Sequence, residues 1–165
     1  MLTAEMKFII RNFNAGAVAT VDAEGRPKVS PKATFLILDH ATIAFANIRS
    51  PGTIANLRFN PTLEVCFTDI LARKAVRVSG TGEIVLMSDA PANIRDPFQE
   101  EWDYLANHMS AFIVITLTAA EMILSPAYDR GLEEADLRNT NLKKLNALEP
   151  SRFDGQIVPM GVERF

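Results

Sequence analysis

Residues 28–61, KVSPKATFLILDHATIAFANIRSPGTIANLRFNP, decide the fold. Polar Lys28, Ser30, Lys32 and Thr34 alternate with apolar Val29, Pro31, Ala33, Phe35 and Ile37. A period of two belongs to a strand with one face in a core and the other in water. One strand is therefore predicted over 26–38, with its odd positions buried. Pro31 cannot donate to a ladder, which puts the strand at an edge or on a bulge. Asp39-His40 turns the chain, and 42–48 (TIAFANI) is the next strand. A helix follows: Ser50 can cap it, Pro51 suits its first position, Ile54 and Leu57 face the core, and Asn60-Pro61 ends it.

Upstream, Thr3 can cap an amphipathic helix over 3–13, and 17–21 with the turn Asp22-Ala23-Glu24-Gly25 opens the first hairpin. Downstream, strands are predicted over 62–69 and 74–87. A helix starting at Asp96-Pro97 carries the stripe Phe98, Trp102, Leu105 and Met109. The last strand, 112–117, is apolar on both faces, as in a barrel centre or against another subunit. The segment 132–148 presents Leu137, Leu142, Leu145 and Leu148 as one docking face. Six strands in hairpins with short flanking helices make a mainly β protein, an antiparallel barrel. The expectation is one domain over 1–165, with its core in 1–125 and a helical tail in 130–165.

The 165 residues are 48% hydrophobic and 22% charged, as in an ordinary globular protein. The net charge is −3 and the basic residues are scattered, which argues against nucleic acid as a partner. No apolar run reaches membrane-spanning length, and residues 1–13 lack a signal peptide's apolar core. With a single cysteine, these features predict a cytoplasmic protein with no membrane partner. His40 and His108 lie apart without metal-ligand spacing, so no metal is expected. Cys66, within a predicted strand, reads as a packed, inert thiol. His40 reads as an exposed turn residue and His108 as a helix-terminal one.

Two features can carry chemistry. The row Lys28, Ser30, Lys32 is either the solvated side of an edge strand or a ligand-facing row. Arg49-Ser50-Pro51-Gly52-Thr53 is either a capped helix start beside a surface arginine or an anion site. A hairpin between the two central strands brings Lys32 close to Phe45-Ala46-Asn47 and leads into Arg49.

The order of these segments closely resembles the pyridoxamine 5'-phosphate oxidase-like FMN-binding split barrels over roughly residues 1–125. The most specific piece is Val29-Ser30-Pro31-Lys32, then Phe45-Ala46-Asn47, then Arg49-Ser50-Pro51-Gly52-Thr53. The resemblance implies a six-stranded antiparallel Greek-key split β-barrel with short flanking helices, working as a homodimer with FMN at the interface. It implies that Val29, Ser30, Pro31 and Lys32 line the flavin and that Phe45, Ala46 and Asn47 contribute contacts. Arg49, Ser50 and Thr53 would hold the phosphate with Lys32 as a second cation, and Asn56 lies one turn on. Lys74 and Arg77 would reach the partner's flavin, and Trp102, Tyr104 and Tyr128 could wall a substrate cleft. The spacing of Trp102 with Phe98 and Leu105 favours helix packing instead. Relatives place a basic residue where this chain has Gly52. The arginine-containing C-terminal segment of true pyridoxamine 5'-phosphate oxidases is not supplied by 155–165. The implied function is an FMN-dependent oxidoreductase acting on a small organic molecule, with NAD(P)H or oxygen as electron partner. A non-catalytic flavin carrier and an F420-dependent reductase are the alternatives, and no catalytic residue is named.

Overall fold

The computed structural model describes residues 1–148, so residues 149–165, including the segment compared above with the oxidase C-terminus, lie outside the described residues. Helix α1 (Ala4–Asn12) starts at Thr3, whose hydroxyl accepts from the Met6 N–H. The strands follow: β1 (Gly16–Val21), β2 (Pro27–Lys32), β3 (Phe35–Ile37) and β4 (Thr42–Asn47). After helix α2 (Pro51–Phe59) come β5 (Thr62–Asp69) and β6 (Lys74–Leu86). Helix α3 (Ala92–Glu101), β7 (Ala111–Leu124) and helix α4 (Glu134–Asn146) complete the chain, with 3-10 turns at Asp103–His108 and Tyr128–Arg130.

The strands form one antiparallel sheet in the order β2-β1-β5-β6-β7-β4-β3. Its two edge strands are consecutive in the chain and separated only by Ala33 and Thr34. Three peptide units reach at most about 11 Å. The sheet must therefore curl until its edges nearly meet, and the result is a half-barrel of seven strands. The expected six-stranded count is corrected here, because the strand predicted over 26–38 is divided. Its first half pairs with β1 and its second with β4.

The division also reverses the expected facing of the first half. Val29 is 70% exposed and Pro31 is exposed, whereas Ser30 and Lys32 are half-buried. At Phe35 the odd position is buried again. The two-residue break shifts the alternation by one, as an irregularity in a strand does. Pro31 does sit on an edge strand, where no N–H is missed.

The barrel interior holds Val18, Phe35, Phe45, Phe67, Val76 and Ile115. The Phe35 ring lies 4.8 Å from Phe67 and 5.2 Å from Phe45. Met6, Ile9 and Ile10 of α1 join this core. At the β6 irregularity beside Ser79, a side chain on Gly80 would overlap the Thr116 carbonyl oxygen, so glycine is required there. A second cluster lies on the other face of β4 and β7, where Ala44, Ala46 and Phe112 are covered by Phe98 and Met109. Strand β4 is consequently buried on both sides, and so is the first half of β7.

Three further expectations are corrected. Helix α3 begins at Ala92 with Pro97 inside it, and the stripe through Trp102 and Leu105 continues in a 3-10 turn. Strand β7 extends to Leu124 because it pairs with β6 along its whole length. In α4 only Leu137 of the predicted leucine face is buried; Leu142, Leu145 and Leu148 are exposed. Polar groups tie this helix down instead. Arg138 pairs with the fully buried Asp69 at 2.5 Å, and Lys74 bridges Glu5 at 2.6 Å and Glu134 at 2.7 Å.

Candidate functional site

Helix α2 starts where β4 leaves the sheet. Its N-cap, Ser50, makes no side-chain capping bond, and its first turn contains no acid. Pro51 has no N–H, and the first intrahelical bond of the ladder is Ile54 N–H to Ser50 O at 3.1 Å. The N–H groups of Gly52 and Thr53 precede that bond and belong to the unpaired first turn, at the positive end of the helix dipole. Gly52 has open space where a side chain would stand.

This helix start forms one wall of a cleft of about 490 Å³, with Arg49 at its rim. The β1–β2 hairpin forms the other wall through Thr20, Ser30 and Lys32. The Lys32 ammonium donates to Ser30 Oγ. Partial burial lowers its pKa, since the charged form loses hydration. Asn56 donates its amide to Thr20 Oγ1 at 2.8 Å and so fixes α2 against β1.

The tip of the hairpin is charge-balanced. Asp22 accepts from the backbone N–H groups of Glu24 at 3.1 Å and Arg26 at 2.9 Å, and pairs with Arg26 at 2.8 Å and Lys28 at 3.5 Å. Desolvation pushes its carboxyl up, but the bonds from Arg26 outweigh it and hold the pKa at about 2. The two acids of the cleft, Asp22 and Glu24, are thus engaged by Arg26 and Lys28. Lys32 and Arg49 lie next to the helix start. That set of groups suits a phosphate: two cations, two hydroxyls, two N–H groups and a helix dipole.

Of the residues singled out from the sequence, Ser30, Lys32, Arg49, Ser50, Thr53 and Asn56 come together around this cleft. Val29 and Pro31 point to the opposite side of β2. Phe45 is in the barrel core and Ala46 in the second cluster, with the Ala46 backbone bonded to Thr34. Asn47 donates to Ser110 Oγ at 2.8 Å, and its buried Oδ1 has no partner among the described residues. Lys74 is committed to Glu5 and Glu134 at the far end of β6, and Arg77 pairs with Glu121 on the outer face. Neither lines the cleft of its own chain. Tyr128 donates to the Ala72 carbonyl at 2.6 Å and is a tie, not a cleft wall. Trp102 packs on Phe98 at 5.7 Å, as its spacing favours. Cys66 is half-buried on the outer face, not packed in the core. Sequence reading missed Thr20 and Asp22, which the hairpin delivers; Asp22 looked like a turn residue and nothing more.

A family profile described as pyridoxamine 5'-phosphate oxidase matches residues 2–124. The chain belongs to the pyridoxamine 5'-phosphate oxidase-like family. Among curated proteins none matches. Among solved structures, HupZ of Group A Streptococcus is 26% identical, with a TM-score of 0.67 over 76% of this chain and 96% of that one. An FMN-binding protein from Syntrophomonas wolfei shares the fold at 16% identity and TM-score 0.60, covering 73% of this chain and 84% of that one. An F420 reductase does so at 19% identity and TM-score 0.58, covering 73% and 98%. Family membership covers every element of the sheet and the whole cleft, and leaves α4 outside the matched span. Among the described residues no cluster of three or more His, Cys, Asp or Glu could hold a metal ion, and no helix is long and apolar enough to cross a membrane.

Proposed function

We propose that this protein binds FMN with its phosphate at the start of α2 and works as an FMN-dependent oxidoreductase on a small organic molecule. One observation carries the reading: the helix start is uncapped by its own serine, free of acids, and flanked by Lys32 and Arg49 in a single cleft. The unpaired N–H groups of a helix start are normally satisfied by a side chain, water or a ligand. A phosphate is the partner whose charge and acceptor number suit them. Family membership and the FMN-binding neighbour of the same fold supply the flavin.

Bound FMN would supply two-electron or one-electron redox chemistry that no side chain of this chain provides. The chain's own task is holding and orienting. Arg49, Ser50, Thr53 and the α2 N–H groups fix the phosphate, and Ser30 with Lys32 runs beside the remainder of the cofactor along β2. Lys32, partly out of water, places a cation where negative charge on a ligand is most strongly felt. A homodimer that closes the open side of the cleft is part of the proposal.

The test is an absorbance spectrum of the purified protein after addition of FMN and removal of the excess. About one flavin retained per subunit supports the reading, and steady oxidation of NADH or NADPH by that holoprotein supports the enzyme over a carrier. A folded protein that retains no FMN rejects it. Retention of F420 in its place would transfer the cleft to the deazaflavin, in keeping with the F420 reductase of similar fold.

A further inference from the structure

Between β4 and the first turn of α2 the chain from Ile48 to Ser50 has no regular structure, and the helix it opens has no side-chain cap. Uncapped helix ends fray, so the first turn of α2 must be held from outside itself. Two side-chain clasps flank it. One is the bond from Asn56 to Thr20, in the second turn of the helix. The other comes before the helix and joins Asn47, the last residue of β4, to Ser110, the residue just before β7.

Three hydrogen bonds make the second clasp. The Ser110 N–H donates to the Asn47 carbonyl at 2.9 Å, and the Ser110 hydroxyl donates to the same carbonyl at 3.1 Å. The Asn47 amide donates to that hydroxyl at 2.8 Å. Ser110 is held in turn, because its carbonyl accepts from the Met87 N–H at 3.1 Å. Asn47 is therefore the last fixed point of the sheet, two residues before Arg49. It stands there against its own preferences. Asparagine is disfavoured in strands, and the buried Oδ1 has no partner among the described residues, an arrangement that folded proteins seldom keep. What the side chain does supply is the Nδ2 bond, which fixes where the chain leaves β4. Arg49 and the N–H groups of Gly52 and Thr53 come next, and Lys32 faces them across the cleft. Groups that share one ligand must be held within about 0.5 Å of their working geometry by bonds from residues behind them.

We propose that Asn47, clamped by Ser110, is a positioning residue for the phosphate end of the ligand: it sets Arg49 and the start of α2 without touching the ligand itself. The inference rests on the FMN reading. It differs from the contact that the family resemblance implies for Asn47, since neither Asn47 nor Ser110 lines the cleft. Riboflavin has the ring and ribityl chain of FMN without the phosphate, so the two flavins separate an effect on the phosphate end from a general effect on the fold. In fluorescence titrations of the full chain, the wild-type protein should bind FMN more tightly than riboflavin. Asn47→Ala should weaken FMN roughly tenfold and leave riboflavin unchanged. Its melting temperature should barely move, because the substitution removes an orphaned oxygen together with the bond. Ser110→Ala should weaken FMN in the same way, and Ser110→Thr, which keeps the hydroxyl, should bind it as the wild type does. Equal losses for FMN and riboflavin, or a preference for FMN that survives both alanine substitutions, overturns the proposal. A wild-type protein without that preference overturns the phosphate assignment and this inference with it, so the two failures are told apart.

Discussion

Single residues set the character of the cleft. Arg49→Ala removes a charge-assisted contact worth about 1.5–3 kcal/mol, so FMN affinity should fall roughly 10- to 100-fold in a fluorescence titration. Unchanged affinity would reject the phosphate assignment. Gly52 offers the converse change. Open space surrounds it, and a longer side chain there would stand within the cleft. Gly52→Arg should therefore tighten FMN, and an equal or weaker constant by the same titration counts against a phosphate beside Gly52. Asp22 gives a pH signature. Its folded pKa of about 2 lies below the ordinary aspartate value of 3.8, so its contribution to stability is present above about pH 4. It is lost as pH falls toward 2. Asp22→Asn keeps an oxygen for the hairpin turn and loses the charge. The gap in melting temperature between the two proteins should be open at neutral pH and should close between roughly pH 4 and pH 2. A gap that persists at pH 2 would show that the turn geometry, not the ion pairs, is what the carboxylate supplies.

At the scale of elements, the docking of α4 shows how a correct helix can be predicted for the wrong reason. The leucine spacing announced a buried stripe, yet Leu137 alone is buried, and the anchors are Arg138 on Asp69 and Asn141 on the Leu71 carbonyl. Those contacts join residues about seventy positions apart, and no local pattern carries them. Arg138→Ala would leave the buried Asp69 carboxylate with only its two backbone donors, Leu71 and Ala72. The expected cost is about 1–3 kcal/mol, with early hydrogen exchange in α4 while the sheet stays protected. Exchange that quickens equally in the sheet and α4 would mean the helix is not a separable unit. The strand over 26–38 shows the complementary case. Its period of two was legible, and its alternation alone assigned the odd residues to the core. Two residues of irregular backbone, Ala33 and Thr34, shifted that parity and turned Ser30 and Lys32 into the cleft. Tertiary pairing made the decision, because β2 answers to β1 and β3 answers to β4. The half of the cleft at the start of α2 was readable for the opposite reason: Arg49 through Thr53 is contiguous, and a helix start is a local structure.

At the scale of the whole molecule, the outer face of the curled sheet is where the proposed dimer would form. Strand pairing aligns Pro31, Ala17, Cys66, Arg77 and Glu121 in one row across β2, β1, β5, β6 and β7. The adjacent row is Val29, Ala19, Glu64, Ser79 and Ala119. These rows are built largely of small residues, and Val29 is 70% exposed on the same strand whose other side lines the cleft. A large side chain on this face would block close approach, and small ones permit it. The Arg77–Glu121 pair makes the face self-complementary: in a two-fold pair of chains each arginine can meet the partner's acid as readily as its own. The expected species is a dimer of the 18.2 kDa chain, measurable by sedimentation. Arg77→Glu sets two acids side by side and should weaken association. The fold should survive, since an exposed ion pair contributes only about 0–1 kcal/mol. The charge swap Arg77→Glu with Glu121→Arg restores opposite charges and should restore the dimer. A wild-type monomer, or a dimer indifferent to both changes, would move the subunit interface to another face; recovery in the swap alone would fix it on this one and place the second subunit beside the cleft.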